Sequence, residues 1–310
     1  MLVKRIASDI QLPVEFIEKV AASASHRYKA YRIKKRAKGY RVIDHPAREL
    51  KLLQHWLVDN LFSALPVHNA VYSYRVGRNI RGNAELHRRN NYLLRVDFVD
   101  FFPSIHAIDI VKMLQKYHDT IPYRLSKRDM ALVTSIVCKN GRLTIGAPSS
   151  PIISNAILFD LDSRLGTICR GYSVTYSRYA DDLYFSTNKP NVLEKVLEEL
   201  KAEISNMPYP RLRINHKKSV FTSRKRQRKV AGVTLTSDKK LSIGRQCKRA
   251  IKSMVHEFKI GTLARDKASY LRGLLAYVQS IEPSFINALE RKYGAETISK
   301  IRGIKLSPRK

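Results

Sequence analysis

The stretch "YSRYADDLYFS", residues 176–186, places two adjacent carboxylates, Asp181 and Asp182, between segments that have the composition of β-strands. Asp is a poor strand former, and adjacent like charges repel each other. An Asp–Asp pair alone is common in turns and would carry little weight. The apolar, tyrosine-rich strands on either side indicate a strand turn whose carboxylates need a further partner.

Asp97 lies in a similar setting, inside the apolar run "LLRVDFVDFFPSI", residues 93–105. An acid in such a run is costly unless it meets a cation or another partner. If the two segments are neighbouring strands, Asp97, Asp181 and Asp182 converge, and divalent cations cancel their repulsion. Oxygen ligands favour Mg²⁺, and two such ions about 4 Å apart stabilise the oxygens of an in-line phosphoryl displacement. We therefore predict a centre for two Mg²⁺ ions, with Mn²⁺ as a substitute, that catalyses nucleotidyl transfer.

The charge of the chain indicates the same substrate class. Lys and Arg number 58 against 26 acidic residues, which gives a net charge of +32. Such a field favours nucleic acid, whereas solubility by charge and an anionic membrane surface are weaker alternatives. Residues 213–310 carry 25 of the basic residues against 6 acids. A second cluster, "RYKAYRIKKRAKGYR" at 27–41, interleaves tyrosines as a nucleic-acid groove does; the alternative is a solvated surface with buried tyrosines.

Cysteine usage and the N-terminus indicate the compartment. Cys138, Cys169 and Cys247 lie far apart without a CxxC pair, which argues against a zinc site and a disulfide framework. Plain core cysteines suit a reducing cytoplasm. The opening "MLVKRIASDI" lacks a signal-peptide hydrophobic region, and no stretch approaches the ~18 apolar residues of a membrane span. We predict a cytoplasmic protein without a membrane segment.

Periodicity divides the chain into helices and short strands. Helical stripes fall in 49–62, 191–204, 247–258 and 268–281, and strand-like runs in 91–102, 174–187 and 228–236. This mixture predicts an α+β core with a sheet, followed by a basic helical module and a frayed tail, "GIKLSPRK". In the third helix the stripe predicts an inward face that consists of Cys247, Ala250, Ile251, Met254 and Phe258.

"YADD", with "RVDFVDFFPSI" upstream and "GAPSSPIISN" between them, resembles the reverse transcriptases. The resemblance implies a right-hand polymerase fold: fingers at 1–92 and 113–146, palm with an antiparallel sheet at 93–112 and 147–235, and a basic helical thumb at 236–310. It implies that Asp97 and Asp181 bind the metals and that Asp182 completes the acidic centre. Phe102 matches the steric gate against a ribose 2′-hydroxyl, which implies dNTP substrates and disfavours an RNA-dependent RNA polymerase.

The same resemblance implies a set of residues that bind nucleotide and template. Asn215 precedes two of them in "RINHKKS", the basic motif near the triphosphate. The set comprises Arg41, Arg75, Gly146, Ala147, Pro148, Ser149, Tyr179, Lys217 and Lys218. One departure concerns Ile145, which stands where the family carries a nucleotide-positioning Gln, so fidelity or turnover is expected to differ.

Two further motifs resemble the retron type within that family. "NAELH" contains Asn83, Ala84 and His87 in the retron NAxxH pattern, although a lone His is more often structural. "RKVAGVTLT" lies where retron enzymes carry VTG and keeps Val230 and Gly232, with Ala231 in place of Thr. From the length of the chain we expect no added endonuclease, maturase or RNase H domain. The resemblance assigns retron RNA recognition to these residues and to the thumb residues Arg245, Lys248, Arg249 and Lys252.

A retron enzyme is expected to copy part of a cognate structured noncoding RNA into multicopy single-stranded DNA. The resemblance implies priming from a 2′-hydroxyl, a branched RNA–DNA hybrid and anti-phage defence with a separate effector protein. Two alternatives remain: a bacterial reverse transcriptase related to those of group II introns, and a polymerase-derived RNA-binding scaffold without turnover. The intact Asp97, Asp181, Asp182 and Phe102 argue against the scaffold.

Overall fold

A computed structural model describes residues 1–34 and 39–304 of the 310-residue chain. Residues 35–38 of the basic cluster, and 305–310 of the tail expected to fray, lie outside the described residues. In the ranges described, none of the helices has the length and apolar character that crossing a bilayer requires.

The elements alternate between helices and short strands along the described chain. The helices are α1 (Leu2–Ile10), α2 (Val14–Ala22), α3 (Arg48–Asn60), α4 (Ile80–His87), α5 (Ala107–Lys116), α6 (Lys127–Val137), α7 (Ser150–Ile157), α8 (Phe159–Gly171), α9 (Val192–Asn206), α10 (Arg245–Lys259), α11 (Arg265–Ile281), α12 (Pro283–Tyr293) and α13 (Ala295–Arg302). The strands are β1 (Tyr28–Lys34), β2 (Tyr40–Pro46), β3 (Tyr92–Asp97), β4 (Thr175–Tyr179), β5 (Asp182–Thr187), β6 (Val220–Ser223), β7 (Arg228–Val230), β8 (Val233–Leu235) and β9 (Leu241–Ser242). The predicted helices and strand segments are therefore confirmed.

Two compact units divide the chain. The first consists of Met1–Val76, Arg95–Phe185 and Asn191–Val220. Its amphipathic helices bury the stripes read from the sequence: α3 buries Leu50, Leu53 and Leu57, and α9 buries Leu193, Val196 and Leu200. The boundaries predicted for fingers, palm and thumb stay predictions, because contact within each unit does not test them.

A four-stranded sheet has the order β4-β5-β3-β6. A two-residue turn, Ala180–Asp181, joins β4 to β5 and makes them an antiparallel hairpin. Since β3 lies beside β5, the strand that ends in Asp97 neighbours the strand that begins with Asp182. This order confirms that the two acidic segments are neighbouring strands.

β1 and β2 form an antiparallel ribbon in the segment that the sequence indicated only as a basic cluster. Its register pairs Tyr31 with Ile43 and Ile33 with Arg41. Tyr31 and Tyr40 are 45% and 62% exposed, so these tyrosines present aromatic faces to solvent rather than filling a core. Aromatic and β-branched residues at alternate positions favour the pleated ribbon over a helix.

The second unit consists of Gly77–Leu94, Ser186–Pro190 and Phe221–Lys310. In it, α4 packs on the three-stranded sheet β7-β8-β9, and α10 to α13 pack on one another. One predicted side-chain direction in α10 is wrong: Ala250 is exposed, and Val255 is buried instead, beside Ile251. The buried stripe of α10 is narrower than its apolar content suggests, because Ile251 and Val255 alone are fully buried in it.

The cysteines are free thiols, as predicted. Cys138 and Cys169 are buried, and burial raises the pKa of each thiol to about 12. Both are therefore protonated and unreactive at neutral pH. Cys247 is half-buried on α10.

Candidate active site

The turn between β4 and β5 presents the adjacent carboxylates. Ala180 adopts the left-handed backbone conformation, with φ of 55°. Its N–H donates a 2.7 Å hydrogen bond to the Ser73 hydroxyl, and its carbonyl accepts one of 3.2 Å from Arg178 Nη1. The turn is thus held on both sides by buried groups, which fixes the backbone from which Asp181 and Asp182 project.

A buried polar cluster, which the sequence analysis missed, lies behind this turn. Arg178 is fully buried and donates to both carboxylate oxygens of Asp162, with Nη2 at 2.7 Å from Oδ2. Tyr176 donates its hydroxyl to the same carboxylate at 2.6 Å, and Asn155 Oδ1 accepts from Arg178. The signal that could have found the cluster is Arg178 itself, a cation inside an apolar strand, which needs a buried partner as Asp97 does.

Asp97 is buried at the end of β3 and is held by two groups from the segment before β6. Lys218 Nζ lies 3.0 Å from Oδ1 and 3.2 Å from Oδ2, and Asn215 Nδ2 donates to Oδ1 at 3.2 Å. The backbone N–H of Asn215 also donates to the Asp97 carbonyl at 2.8 Å. The ammonium group balances the charge of Asp97 in this arrangement.

The other two carboxylates are destabilised in their charged form. Burial raises the pKa of Asp181, repulsion from Asp97 adds to the effect, and Lys218 and Arg41 oppose it. Burial raises the pKa of Asp182 to about 6, and repulsion from Asp181 adds to this, while Arg95 and a 3.0 Å hydrogen bond from Tyr184 oppose it. These mutual effects show that the three predicted acids lie near one another in a region of low solvation.

The carboxylates fit a divalent cation chemically. In the described parts of the chain, however, no three His, Cys, Asp or Glu side chains are already arranged around one metal position. In this arrangement the Lys218 ammonium forms an ion pair with Asp97. Carboxylates with raised pKa and oxygen-only donors are what a divalent cation would satisfy.

A cavity of about 690 Å³ opens beside the turn. It brings together predicted residues from separate segments, namely Arg41, Phe102, Asp181 and Lys218. Tyr74 also lines it and was not predicted; burial raises the pKa of its hydroxyl, and the Asp181 charge adds to the effect. One acidic, one aromatic and two cationic predicted groups therefore face a single space.

Asp97 and Asp182 do not line this cavity, and neither do Arg75, Lys217 and Tyr179. Arg75 donates to the His68 carbonyl and to Asn69 Oδ1, both at 3.2 Å, so its guanidinium faces its own loop. Lys217 is exposed, and Tyr179 is half-buried at the end of β4. Their proposed contacts with nucleotide or template stay predictions.

The segment Gly146–Ser149 follows directly after two lining residues, Thr144 and Ile145. Gly146 has φ of 117°, and a Cβ there would lie 2.6 Å from the Asp44 carbonyl oxygen, so only glycine fits against β2. The Ile145 carbonyl accepts from the Asp44 N–H at 2.8 Å. Ala147 and Ser149 are buried and Pro148 is half-buried, which leaves their predicted template contacts as predictions.

In the second unit, the NAxxH residues Asn83, Ala84 and His87 are all fully buried on α4. Burial lowers the pKa of His87 to about 3, so its ring is neutral and lies 2.7 Å from the Ser186 hydroxyl. None of these three side chains reaches the surface, and their assignment to retron RNA recognition stays a prediction. The helix that carries them, α4, packs on the β7-β8-β9 sheet.

The VTG-like motif forms the turn of that sheet. Val230 is fully buried, and Ala231 and Gly232 have φ of 45° and 85°, as in a two-residue hairpin turn. Gly232 is exposed, and the assignment of Val230 and Gly232 to RNA recognition stays a prediction.

The predicted thumb residues divide into two kinds. Arg245, Arg249 and Lys252 are exposed on α10. Lys248 forms an ion pair with Glu282, whose other carboxylate oxygen accepts from the Ser242 hydroxyl at 2.8 Å. Lys248 therefore ties α10 to the start of α12, and its assignment to RNA recognition stays a prediction.

The chain is similar in sequence to one family of polymerases and to individual members of it. Residues 33–235 match the family described as reverse transcriptase (RNA-dependent DNA polymerase). The retron Ec83 reverse transcriptase of Escherichia coli is 39% identical over 283 residues, which cover 90% of each chain. The retron Ec86 reverse transcriptase of Escherichia coli is 31% identical over 301 residues, 94% of this chain and 90% of the relative.

Two solved structures show the fold. The foamy viral protease–reverse transcriptase in complex with double-stranded DNA aligns with a TM-score of 0.51, 16% identity and 90% coverage of this chain. The telomerase of Candida tropicalis in complex with a TWJ fragment of telomeric RNA aligns with a TM-score of 0.50, 13% identity and 90% coverage of this chain. The chain spans 40% and 55% of those two proteins, respectively.

Fold and acidic site together define a template-directed polymerase of the right-hand class. The chain belongs to the reverse transcriptase family and, within it, to the retron reverse transcriptases. It is an RNA-directed DNA polymerase, and the α+β right-hand fold implied by its motifs is confirmed.

Proposed function

We propose that this polymerase copies part of a cognate structured noncoding RNA into multicopy single-stranded DNA. Priming from a 2′-hydroxyl of that RNA would give a branched RNA–DNA hybrid. The observation that carries the proposal is the single cavity that holds Asp181, Arg41, Lys218 and the gate residue Phe102 in a chain whose relatives are named retron reverse transcriptases.

Asp97, Asp181 and Asp182 would hold two Mg²⁺ ions, with Mn²⁺ as a substitute. When bound, these ions would stabilise the attacking and leaving oxygens of the displacement. The raised pKa values of Asp181 and Asp182 support this assignment, since a cation offsets the cost of their charge.

Other residues of the cavity would position the incoming dNTP. Arg41 and Lys218 would neutralise triphosphate oxygens, and Lys218 would leave Asp97 as metal binds there. The Phe102 ring, half-buried and 5.3 Å from the Phe101 ring, would occupy the space that a ribose 2′-hydroxyl needs. This steric exclusion selects deoxynucleotides.

The exposed face of α10 would hold nucleic acid. Arg245, Arg249 and Lys252 continue into His256 and Lys259, and all five are exposed. Their spacing of four, three, four and three residues keeps them on one helical face. A stripe of this kind neutralises successive phosphates of one strand, so binding is expected to weaken steeply with salt. Lys248 is left out of this proposal.

The retron type also supports a cytoplasmic bacterial setting and a role in anti-phage defence with a separate effector protein. The buried NAxxH residues would act by holding the RNA-binding surface of the second unit in shape rather than by touching RNA.

The proposal is tested in cells that express the protein with its flanking genomic DNA. Extracted nucleic acid is resolved before and after RNase treatment. We expect a discrete short DNA that shifts in size with RNase and is absent from Asp181→Asn cells. If no such product forms although purified protein incorporates dNTPs on a generic RNA template, the proposed retron product is refuted.

A further inference from the structure

A second cavity, of about 720 Å³, lies at the base of the β1–β2 ribbon in the first unit. It is lined by residues 26–29 and 45–48 and by Lys51. It shares no lining residue with the nucleotide cavity. The proposed dNTP chemistry therefore leaves this second cavity without a role.

The lining is cationic. Arg27, Lys29, Arg48 and Lys51 contribute four positive charges, and no Asp or Glu belongs to the lining. Over residues 1–34 and 39–304 none of these four cations forms an ion pair, whereas Lys139, which lines the nucleotide cavity, is paired with Asp44. Unpaired cations that converge on a concave surface concentrate positive potential and attract phosphate groups.

The walls of this cavity are fixed by hydrogen bonds. Tyr28 accepts from the Gln54 side chain at 2.9 Å, and Arg27 Nε donates to the Ser23 hydroxyl at 2.7 Å. The Ala47 N–H donates to the Arg27 carbonyl at 2.7 Å, which closes the ribbon against the start of α3. Arg27 is thus held in place, and a preorganised cation binds phosphate with less loss of side-chain entropy than a mobile one.

The strand β2 links the two cavities. Arg41 lines the nucleotide cavity and His45 lines the second one, four residues further along the same strand. At about 3.4 Å per residue the separation is roughly 13 Å. That is the span of about two to four nucleotides, depending on how far the strand is stretched. A polynucleotide whose templating base lies at the first cavity can therefore reach the second with its backbone.

We propose that the cationic cavity binds phosphates of the single-stranded RNA template ahead of the position being copied. The inference rests on the RNA-directed polymerase activity and does not need the retron product. It assigns to Arg27, Lys29, Arg48 and Lys51 the task of guiding template into the nucleotide cavity.

The test uses RNA template–DNA primer duplexes with a template 5′ overhang of either about one or about eight nucleotides. Affinity is measured by fluorescence anisotropy over a range of salt concentrations for the full chain and for Arg48→Glu/Lys51→Glu. The matched control, Lys4→Glu/Lys195→Glu, reverses two exposed charges elsewhere in the same unit. A milder Arg48→Gln/Lys51→Gln variant covers the case in which charge reversal prevents folding.

Wild type is expected to bind the long overhang about tenfold more tightly than the short one, and the control should keep that preference. The Arg48/Lys51 variants should bind both duplexes with the affinity that wild type has for the short one. For the long overhang, the slope of log affinity against log salt concentration should become shallower by about 1 to 2. KM for dNTP on the short overhang should not change. Retained preference for the long overhang, or an equal loss on both duplexes, would overturn the proposal. A failure of wild type to extend either primer would instead contradict the polymerase itself.

Discussion

Arg178 donates hydrogen bonds to both carboxylate oxygens of Asp162, at 2.7 to 3.1 Å, and neither side chain is exposed to solvent. Arg178 lies three residues before Asp181, and it also holds the carbonyl of Ala180. A fully buried ion pair contributes little net stability compared with apolar residues of similar volume. The pair is therefore best explained as a device that positions the catalytic turn.

Substitutions in the buried cluster distinguish an effect on the position of the catalytic turn from an effect on the stability of the fold. Arg178→Met alone leaves the Asp162 carboxylate without its cation and should cost about 3 to 5 kcal/mol of unfolding free energy. The triple variant Arg178→Met/Asp162→Leu/Tyr176→Phe removes the whole polar cluster and should recover most of that loss. Its kcat should nevertheless stay about tenfold below wild type, with KM for dNTP unchanged, because the Ala180 carbonyl has lost its donor. Full recovery of kcat with stability would show that the pair is structural only.

Ser73 offers a smaller test of the same turn. Ser73→Ala removes the oxygen that accepts the Ala180 N–H at 2.7 Å, and single-turnover incorporation should slow by about five- to tenfold with KM unchanged. Ser154→Ala is the control, since that buried hydroxyl bonds to the Pro151 carbonyl within its own helix and does not reach the turn. Equal slowing by both variants would contradict a specific role for Ser73.

Phe102 is expected to determine sugar selection. Phe102→Ala opens the cavity and should lower the preference for dNTP over the matching ribonucleotide by between about 10-fold and 200-fold. The measurement compares kcat/KM for both nucleotides on one RNA template. Phe16→Ala, which removes an exposed ring on α2, should leave the ratio at the wild-type value. An unchanged ratio in Phe102→Ala would refute the gate.

Because His87 is buried, we expect the free energy of unfolding to depend on pH. Its pKa is lowered from 6.5 to about 3 by burial, so below pH 6.5 the unfolded chain binds a proton that the folded chain does not. Its contribution to stability is therefore complete above pH 6.5 and falls as the pH decreases toward 3. Between pH 7 and 5 the loss is about 2 kcal/mol. Urea unfolding of His87→Gln should show a shallower decline than wild type over that range, while a His118→Gln control at an exposed histidine should follow wild type. Parallel curves for His87→Gln and wild type would contradict this account.

The acidic centre could be predicted from sequence because its residues violate local rules: carboxylates inside apolar strands need a partner. Arg178 is likewise a charged residue inside an apolar strand that needs a partner. Its partner Asp162 lies on α8, and sequence spacing does not reveal that contact. The β1–β2 ribbon was missed because its Lys and Arg content outweighed its alternation of aromatic and branched residues. The burial of the NAxxH residues was not predicted, because a motif does not indicate burial. Their burial depends on the packing of α4 against β7 to β9, which sequence spacing does not reveal.

Primer extension by purified wild type and Asp181→Asn on one RNA template tests the central claim most directly. Asn keeps the size of the side chain and removes the charge that a divalent cation would bind. We expect extension to fall by at least about 10³-fold, with affinity for the template–primer duplex within about twofold of wild type. Equal extension by the two proteins would contradict the assignment of Asp181 to the catalytic centre.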